Sequence, residues 1–211
     1  MSMAEVFLRH EPQSVALGLT MKETRPLLEY FVAKSLLTPY SILVTDNETG
    51  RRLGMRLMSQ ATRAAEVGVD PLPLRLETGR IRSFSRALES LQGQFWKVHS
   101  DVHKVLRNEI SFIAPTYQRE GIANTLLHYG IDLRKLHQVH GYDGIVSEST
   151  CDSAHSILAR AGYSCSARIE AYRDESGAVL PLASPITSDL RVYFKDIRDY
   201  DGVPHYAREW Q

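Results

Sequence analysis

The sequence predicts a mixed α/β fold: a central sheet flanked by helices, in a single domain spanning residues 1–211. Three observations carry this. Helical and strand periodicities alternate through the middle of the chain. Hairpin-like pairs of strands stand towards both ends. Hydrophobic content of 43% with 24% charged residues is ordinary for a globule able to bury a core.

In order, residues 1–9 read as a short helix with Val6, Phe7 and Leu8 apolar. His10-Glu11-Pro12 ends it, since the residue before proline is pushed out of the helical region. Residues 13–20, with Leu17-Gly18-Leu19, read as a loop or brief turn. Residues 22–37 read as a helix, with Thr20 and Glu23 forming a capping box and Leu27, Leu28, Phe31, Val32 and Leu36 at helical spacing. Pro26 lies early enough to be tolerated. Residues 41–45 and 51–60 read as a hairpin turned by Asp46–Gly50. Residues 62–79 have no clean period and read as loop with one turn of helix. Residues 83–106 read as one long helix, with Phe84, Leu88, Leu91, Phe95, Val98, Val102 and Val105 stepping by three and four.

A strand over 108–114 follows, then a turn, then Gly121 and a helix running to about His140. Residues 144–148 read as a strand. A helix beginning at Thr150 or Asp152 stops at Gly162. Residues 164–172 and 189–195 read as the last strands, with 178–188 irregular around Pro181 and Pro185. The predicted order is helix, helix, strand, strand, helix, strand, helix, strand, helix, strand, strand.

The stretch from Asn108 to Ala123, NEISFIAPTYQREGIA, organises the rest. A strand runs into a glycine-bearing turn and a helix starts at once. The first amides of a helix have no intrahelical acceptor, and the helix dipole adds partial positive charge there. A pyrophosphate can sit on such amides without a lysine. Gly121 lets a ligand approach the backbone. The pattern is neither a Walker loop nor GxGxxG.

Ile113-Ala114-Pro115-Thr116-Tyr117-Gln118-Arg119-Glu120-Gly121-Ile122-Ala123 resembles motif A of the GNAT N-acetyltransferase superfamily. That motif, Val-x-Pro-x-Tyr-Arg-x-x-Gly-Ile-Gly, binds the pyrophosphate of coenzyme A. Ala161-Gly162-Tyr163 is similar to the end of the family's motif B, usually Leu-Gly-Phe. Phe7 with Glu11-Pro12, and the closing Val192–Ile197, look like the invertebrate arylalkylamine N-acetyltransferases of insects and nematodes. The resemblance implies the GNAT acyl-CoA N-acyltransferase fold and acetyl transfer from acetyl-CoA to a small primary amine, plausibly an arylalkylamine, by direct attack in a ternary complex. Acceptors of a different kind (polyamine, amino sugar, protein amine) or an acyl-CoA-binding module without turnover remain as alternatives. The family's first strand should precede the first helix. Too few residues stand before Val6 for it, so it is expected to be absent or to lie ahead of this sequence.

The resemblance also implies a site. Gln118, Arg119, Glu120, Gly121, Ile122 and Ala123 would hold the pyrophosphate, and the strand bearing Ser111, Phe112 and Ile113 would offer amides to the acetyl carbonyl. A protonated amine has no lone pair, so a base must take its proton. Glu11 is the leading candidate, because the insect enzymes use the glutamate of their Glu-Pro; a glutamate there also suits a helix cap. Glu109 is the next candidate, and Glu148 a further one. Many members of the superfamily protonate the leaving thiolate with a tyrosine four residues before the motif B glycine, where this chain has Leu158. The insect enzymes use two serines four apart. Counting back from Gly162 gives Thr150 and Ala154; neighbouring registers give Ser149 with Ser153, or Asp152 with Ser156. Thr150 and Ser153 are therefore carried as catalytic candidates, with His155 and Tyr117 as substitutes.

Composition narrows the partners. A formal charge of zero argues against nucleic-acid or membrane-surface binding. No apolar run approaches a membrane span, and the N-terminus lacks a secretory pattern. Two cysteines, Cys151 and Cys165, make no disulfide framework, so a reducing, cytoplasmic location is expected. Eight histidines show no metal-ligand spacing, so no metal is expected. The amine pocket is expected from residues 13–20, 62–79 and 172–188, and the protein is expected as monomer or homodimer.

Overall fold

Glu11 ends one helix and begins the next. A computed structural model describes residues 2–67, 79–173, 176–180 and 189–200. Its first described element is α1 (Met3–His10), started by a Ser2/Glu5 capping box and closed at Glu11. The chain turns there into α2 (Pro12–Leu17), where a loop is expected from the sequence. Glu11 caps α2, Pro12 takes its first position, and Gly18 ends it at φ 61°. Helix α3 (Met21–Ser35) opens on the predicted Thr20/Glu23 box.

Strands β1 (Ile42–Thr45) and β2 (Arg52–Thr62) form the predicted hairpin. A single turn, α4 (Arg63–Glu66), follows. The rest of the predicted 62–79 loop, from residue 68 to 78, lies outside the described residues. Helix α5 (Gly79–Val98) is shorter than the sequence predicts. It stops at Val98, and Val105 and Leu106 belong to β3 (Lys104–Ile113). The stepping of apolar residues misleads because β3 buries both its faces, so consecutive residues are apolar.

A 3-10 turn (Pro115–Tyr117) leads to α6 (Ile122–His128). The single helix expected to reach His140 is two, with α7 (Leu133–Gln138) restarted by the Asp132 cap after Gly130 turns the chain at φ 71°. Strand β4 (Gly144–Ser149), α8 (Asp152–Arg160), β5 (Ser164–Ile169) and β6 (Leu190–Asp196) complete the described elements. Strand β5 ends before the predicted Tyr172. Residues 181–188 and 201–211, expected to be irregular and a tail, lie outside the described set.

The six strands form one mixed sheet in the order β1-β2-β3-β4-β6-β5. Only β3 and β4 run parallel. Alternate residues of the sheet feed two cores. Val105, Val146, Val192 and Phe194 pack with Leu27, Phe31, Leu88, Leu91, Phe95 and Trp96 of α3 and α5. Leu106, Ile145 and Tyr193 pack with Leu127, Leu136 and Leu158 of α6, α7 and α8. This is the mixed sheet with helices on both faces that the sequence predicts.

Candidate active site

The two parallel strands separate halfway along. Their ladder runs from Val105 opposite Gly144 to Asn108 opposite Ser147 and stops. Beyond it, β4 stays with β6, pairing Glu148 with Val192 and Ser149 with Arg191. Strand β3 stays with β2, pairing Ile110 with Leu57 and Ile113 with Gly54. Glu109 is the extra residue of a β-bulge there, since Leu57 faces Ile110 while Met58 faces Asn108. Residues Glu109–Ile113 thus have no β4 partner, and the sheet opens as a fork. Asn108 Nδ2 donates to Ser147 Oγ at 3.2 Å across its last rung.

The long arm of the fork leads into the turn singled out by the sequence. Tyr117 N donates to the Ala114 carbonyl at 2.8 Å, and Gln118 Nε2 reaches back to the Ile113 carbonyl at 2.9 Å. Arg119 and Gly121 both hold positive φ, 70° and 76°. For Arg119 this is strained backbone; for Gly121 it is inexpensive. Asn124 and Thr125 amides close on the Gly121 carbonyl. The amides of Arg119, Glu120, Gly121, Ile122 and Ala123 find no acceptor among the described residues. Gln118 through Gly121 are exposed, and a Cβ built on Gly121 would meet nothing within 4 Å. Ser111 is exposed, whereas Phe112 and Ile113 are buried. Such a run of outward amides fits an anionic diphosphate.

The far end of α6 is held by Arg56 of β2, whose side chain is fully buried. Its guanidinium donates to the carbonyls of Leu126 and, at 2.9 Å, Tyr129, and to that of Tyr40 at 2.8 Å. Burial lowers its pKa to about 10, so it keeps its charge. The cation stands where the helix dipole is negative.

Charged groups gather below the fork. Arg107 is fully buried and grips Glu66 with two hydrogen bonds of 2.7 Å. The Trp96 indole donates to the same carboxylate at 2.9 Å. Burial pushes Glu66 up, but Arg107 and the indole outweigh it and hold it below its ordinary value. Glu109 accepts from Lys34 at 2.8 Å and from the Ser59 hydroxyl. Glu148 accepts from Gln92 at 3.0 Å, and Arg107 Nε stands 4.0 Å away. Burial pushes Glu148 up to about 7; Arg107 opposes this and Glu109 adds to it. Buried polar atoms without a hydrogen-bond partner among the described residues include Arg107 Nε, Asn108 Oδ1, Glu109 Oε2 and Ser149 Oγ, all at the fork.

The α1–α2 corner closes over this region. Phe7 meets Phe112 edge-on at 5.4 Å. Gln13 donates to the Thr150 carbonyl at 3.2 Å and accepts from the Tyr172 hydroxyl at 2.9 Å. Burial, and Glu11 nearby, hold the Tyr172 phenol far above its ordinary pKa. Glu11 is buried, and its two oxygens accept from the amides of Gln13 and Ser14 at 3.0 and 2.5 Å. The cap anticipated for it is thus formed, beside the end of β4. Thr150 follows β4 directly, while Ser153 is exposed on the first turn of α8, its hydroxyl 3.2 Å from Cys151 Sγ. Ser149, raised only by a shifted register, is buried at the fork. His155 Nε2 lies 3.3 Å from the Ser149 carbonyl. Tyr117 stays in the 3-10 turn, and Leu158 is core.

Sequence reasoning did not single out Arg56 or Arg107, and reached Gln13, Glu66 and Tyr172 only as members of the segments expected to form the amine pocket. Arg107 carried a weak signal, a charge directly after the apolar pair Val105-Leu106. The others are joined to the site only by folding. No group of His, Cys, Asp and Glu that could hold a metal is found among the described residues.

The mixed six-stranded sheet with flanking helices matches the fold of GNAT acetyltransferase structures. No family model and no curated protein matches the sequence. Solved structures do match. Arylalkylamine N-acetyltransferase 2 from Aedes aegypti superposes with a TM-score of 0.70 at 20% identity, covering 90% of this chain and 89% of that one. A mosquito arylalkylamine N-acetyltransferase like 5b gives 0.68 at 18% identity over 92% of both chains. A Drosophila melanogaster polyamine N-acetyltransferase, which catalyses formation of N-acetylagmatine, gives 0.69 at 12% identity, covering 92% and 93%.

Proposed function

We propose that the protein is an acetyl-CoA-dependent N-acetyltransferase acting on a small primary amine, with an arylalkylamine as first choice. One observation carries the reading: the fork between β3 and β4 stands at the foot of a turn with five outward amides. A slender acyl chain fits an opened parallel ladder, and a diphosphate fits the turn.

Acetyl-CoA, when bound, supplies the acyl group as a thioester. The backbone amides of Arg119–Ala123 would hold its diphosphate, while Gln118, whose amide donates to the Pro115 carbonyl at 3.3 Å and whose side chain donates to that of Ile113, braces the turn. On the edge of β3 left without a β4 partner, Ser111 and Ile113 would offer amides to the thioester oxygen, where they count most as negative charge develops; the Phe112 amide lies on the β2 side, as that of Ala114 does. A carboxylate beside the fork takes the ammonium proton, with Glu11 and Glu109 the residues first considered. The N–C bond forms as the C–S bond breaks, and a hydroxyl at Thr150 or Ser153 serves the departing sulfur. Two free thiols suit a reducing, cytoplasmic setting.

A second reading keeps the reaction and makes the acceptor a polyamine. Near the fork Glu66, Glu109 and Glu148 outnumber Arg107 and Lys34, which favours a polycation. The test has two parts. Acetyl-CoA at about a hundredfold excess over its Kd should stabilise the protein by roughly 2.7 kcal/mol in a thermal melt; no shift sinks both readings. Thiol release is then measured over arylethylamines, agmatine, spermidine and an amino sugar. Release with none of them assigns the chain to acyl-CoA binding without turnover.

A further inference from the structure

Glu109 and Glu148 are the first residues past the last rung of the parallel ladder, one on each arm of the fork. Alternation from Val146, the partner of Arg107, puts Glu148 on the face that carries Arg107. The bond from Ser59 of β2, which also pairs with Arg107, puts Glu109 there, and each feels the charge of that guanidinium. Their surroundings differ. Lys34 from α3 and Ser59 from β2 satisfy one oxygen of Glu109. Glu66 from α4 takes the two terminal nitrogens of Arg107. What remains for Glu148 is a neutral amide, Gln92 from α5, and an Arg107 Nε too distant for a hydrogen bond. Three carboxylates therefore share two cations, and Glu148 has the longest ion pair, 4.0 Å from Arg107 Nε, with no cation within hydrogen-bond distance among the described residues. That Nε, the second oxygen of the fully buried Glu109 side chain and the Ser149 hydroxyl beside Glu148 have no hydrogen-bond partner among the described residues. Buried polar atoms are seldom left so, and these converge where the transfer reading places the reacting atoms.

We infer that Glu148 is the proton acceptor of the transfer, with Arg107 and Gln92 as its positioning residues. The inference rests on the acetyltransferase reading and deepens it. The acceptor enters as an ammonium ion and gives one proton to the Glu148 carboxylate. The freed nitrogen lone pair forms the N–C bond while the C–S bond breaks. The second nitrogen proton ends on the sulfur, giving amide and free thiol. The proton on Glu148 then leaves to solvent. A carboxyl group that titrates near working pH suits this duty, and burial has brought Glu148 to about 7. Arg107, Glu109, Glu66 and Lys34 are the charges around it, and the last three are tied into close ion pairs.

The test compares pH–rate profiles of wild type, E148Q and E11Q, using thiol release with the best amine of the panel, beside an acetyl-CoA melt for each. The wild-type kcat/KM should rise with pH through a limb near 7. E148Q should keep the acetyl-CoA stabilisation, lose about a hundredfold in kcat/KM and lose that limb. E11Q should keep the limb. A limb that survives in E148Q and vanishes in E11Q overturns the inference while leaving the acetyltransferase reading intact. No release by wild type with any amine overturns both. Carbon NMR of carboxyl-labelled glutamate adds a readout independent of turnover: one carboxyl should titrate near 7 and be missing in E148Q. Its presence in E148Q also overturns the inference.

Discussion

Asn108 and Ser147 are the last pair of the parallel ladder, and the Asn108 amide donates to the Ser147 hydroxyl at 3.2 Å across it. Both side chains are buried. The bond acts as a stop at the base of the fork. Asn108→Ala should cost about 1–2 kcal/mol, because it leaves a buried hydroxyl without its donor. It should also weaken acetyl-CoA binding by letting the arms shift. Urea melts with and without acetyl-CoA measure both effects; equal losses in the two would show that the rung does not set the fork.

Gly121→Ala separates backbone strain from ligand approach. A Cβ there meets nothing within 4 Å, so the folding cost is only that of a left-handed φ of 76°, about 1–2 kcal/mol. The methyl would, however, stand among the free amides. Acetyl-CoA stabilisation should fall by more than the apoprotein does. Calorimetric titration with coenzyme A checks this, and an unchanged Kd would move the diphosphate elsewhere.

Arg56→Met removes the cation that gathers the carbonyls ending α6. Several buried carbonyls lose their donors at once, so a loss of roughly 3 kcal/mol or more is expected. Arg56→Lys should recover part of it, since a single ammonium cannot reach as many carbonyls as a guanidinium. Denaturant midpoints for the pair supply the comparison.

Stability should depend on Glu148 in a definite direction. Its folded pKa, about 7, lies above the ordinary 4.5. Between those values the folded state holds a proton the unfolded state has released, so unfolding becomes easier as pH rises. The stability lost through Glu148 from pH 4.5 to above 7 is on the order of 3 kcal/mol. In E148Q this slope should vanish, and the variant should gain on wild type as pH rises. Melts from pH 5 to about 8 decide it; parallel curves would show that Glu148 is charged throughout.

The strand, turn and helix start proposed to hold the donor were legible in the sequence because their residues are consecutive. Strand, turn, Gly121 and helix start occupy one uninterrupted stretch, and local rules suffice to read it. Helix α2 was also within reach, since Pro12 at its first position and Gly18 at its end are ordinary start and stop signals. The end of α5 was not. Its reversal through His99–Asp101 has neither glycine nor proline, and the apolar spacing continues into β3. The acid cluster is least legible of all. Glu66, Arg107 and Glu148 lie on α4, β3 and β4, and nothing in their spacing joins them before the sheet does.

Side chains alternate along a strand, so the bulge at Glu109 fixes the parity of every residue after it. Phe112 meets Phe7 because one extra residue stands before it. Replacing Glu109 leaves that parity untouched; deleting it turns residues 110–113 over together. A change of side chain at this position therefore alters charge and leaves the strand's facing as it is, whereas a change in the length of chain here would reverse it.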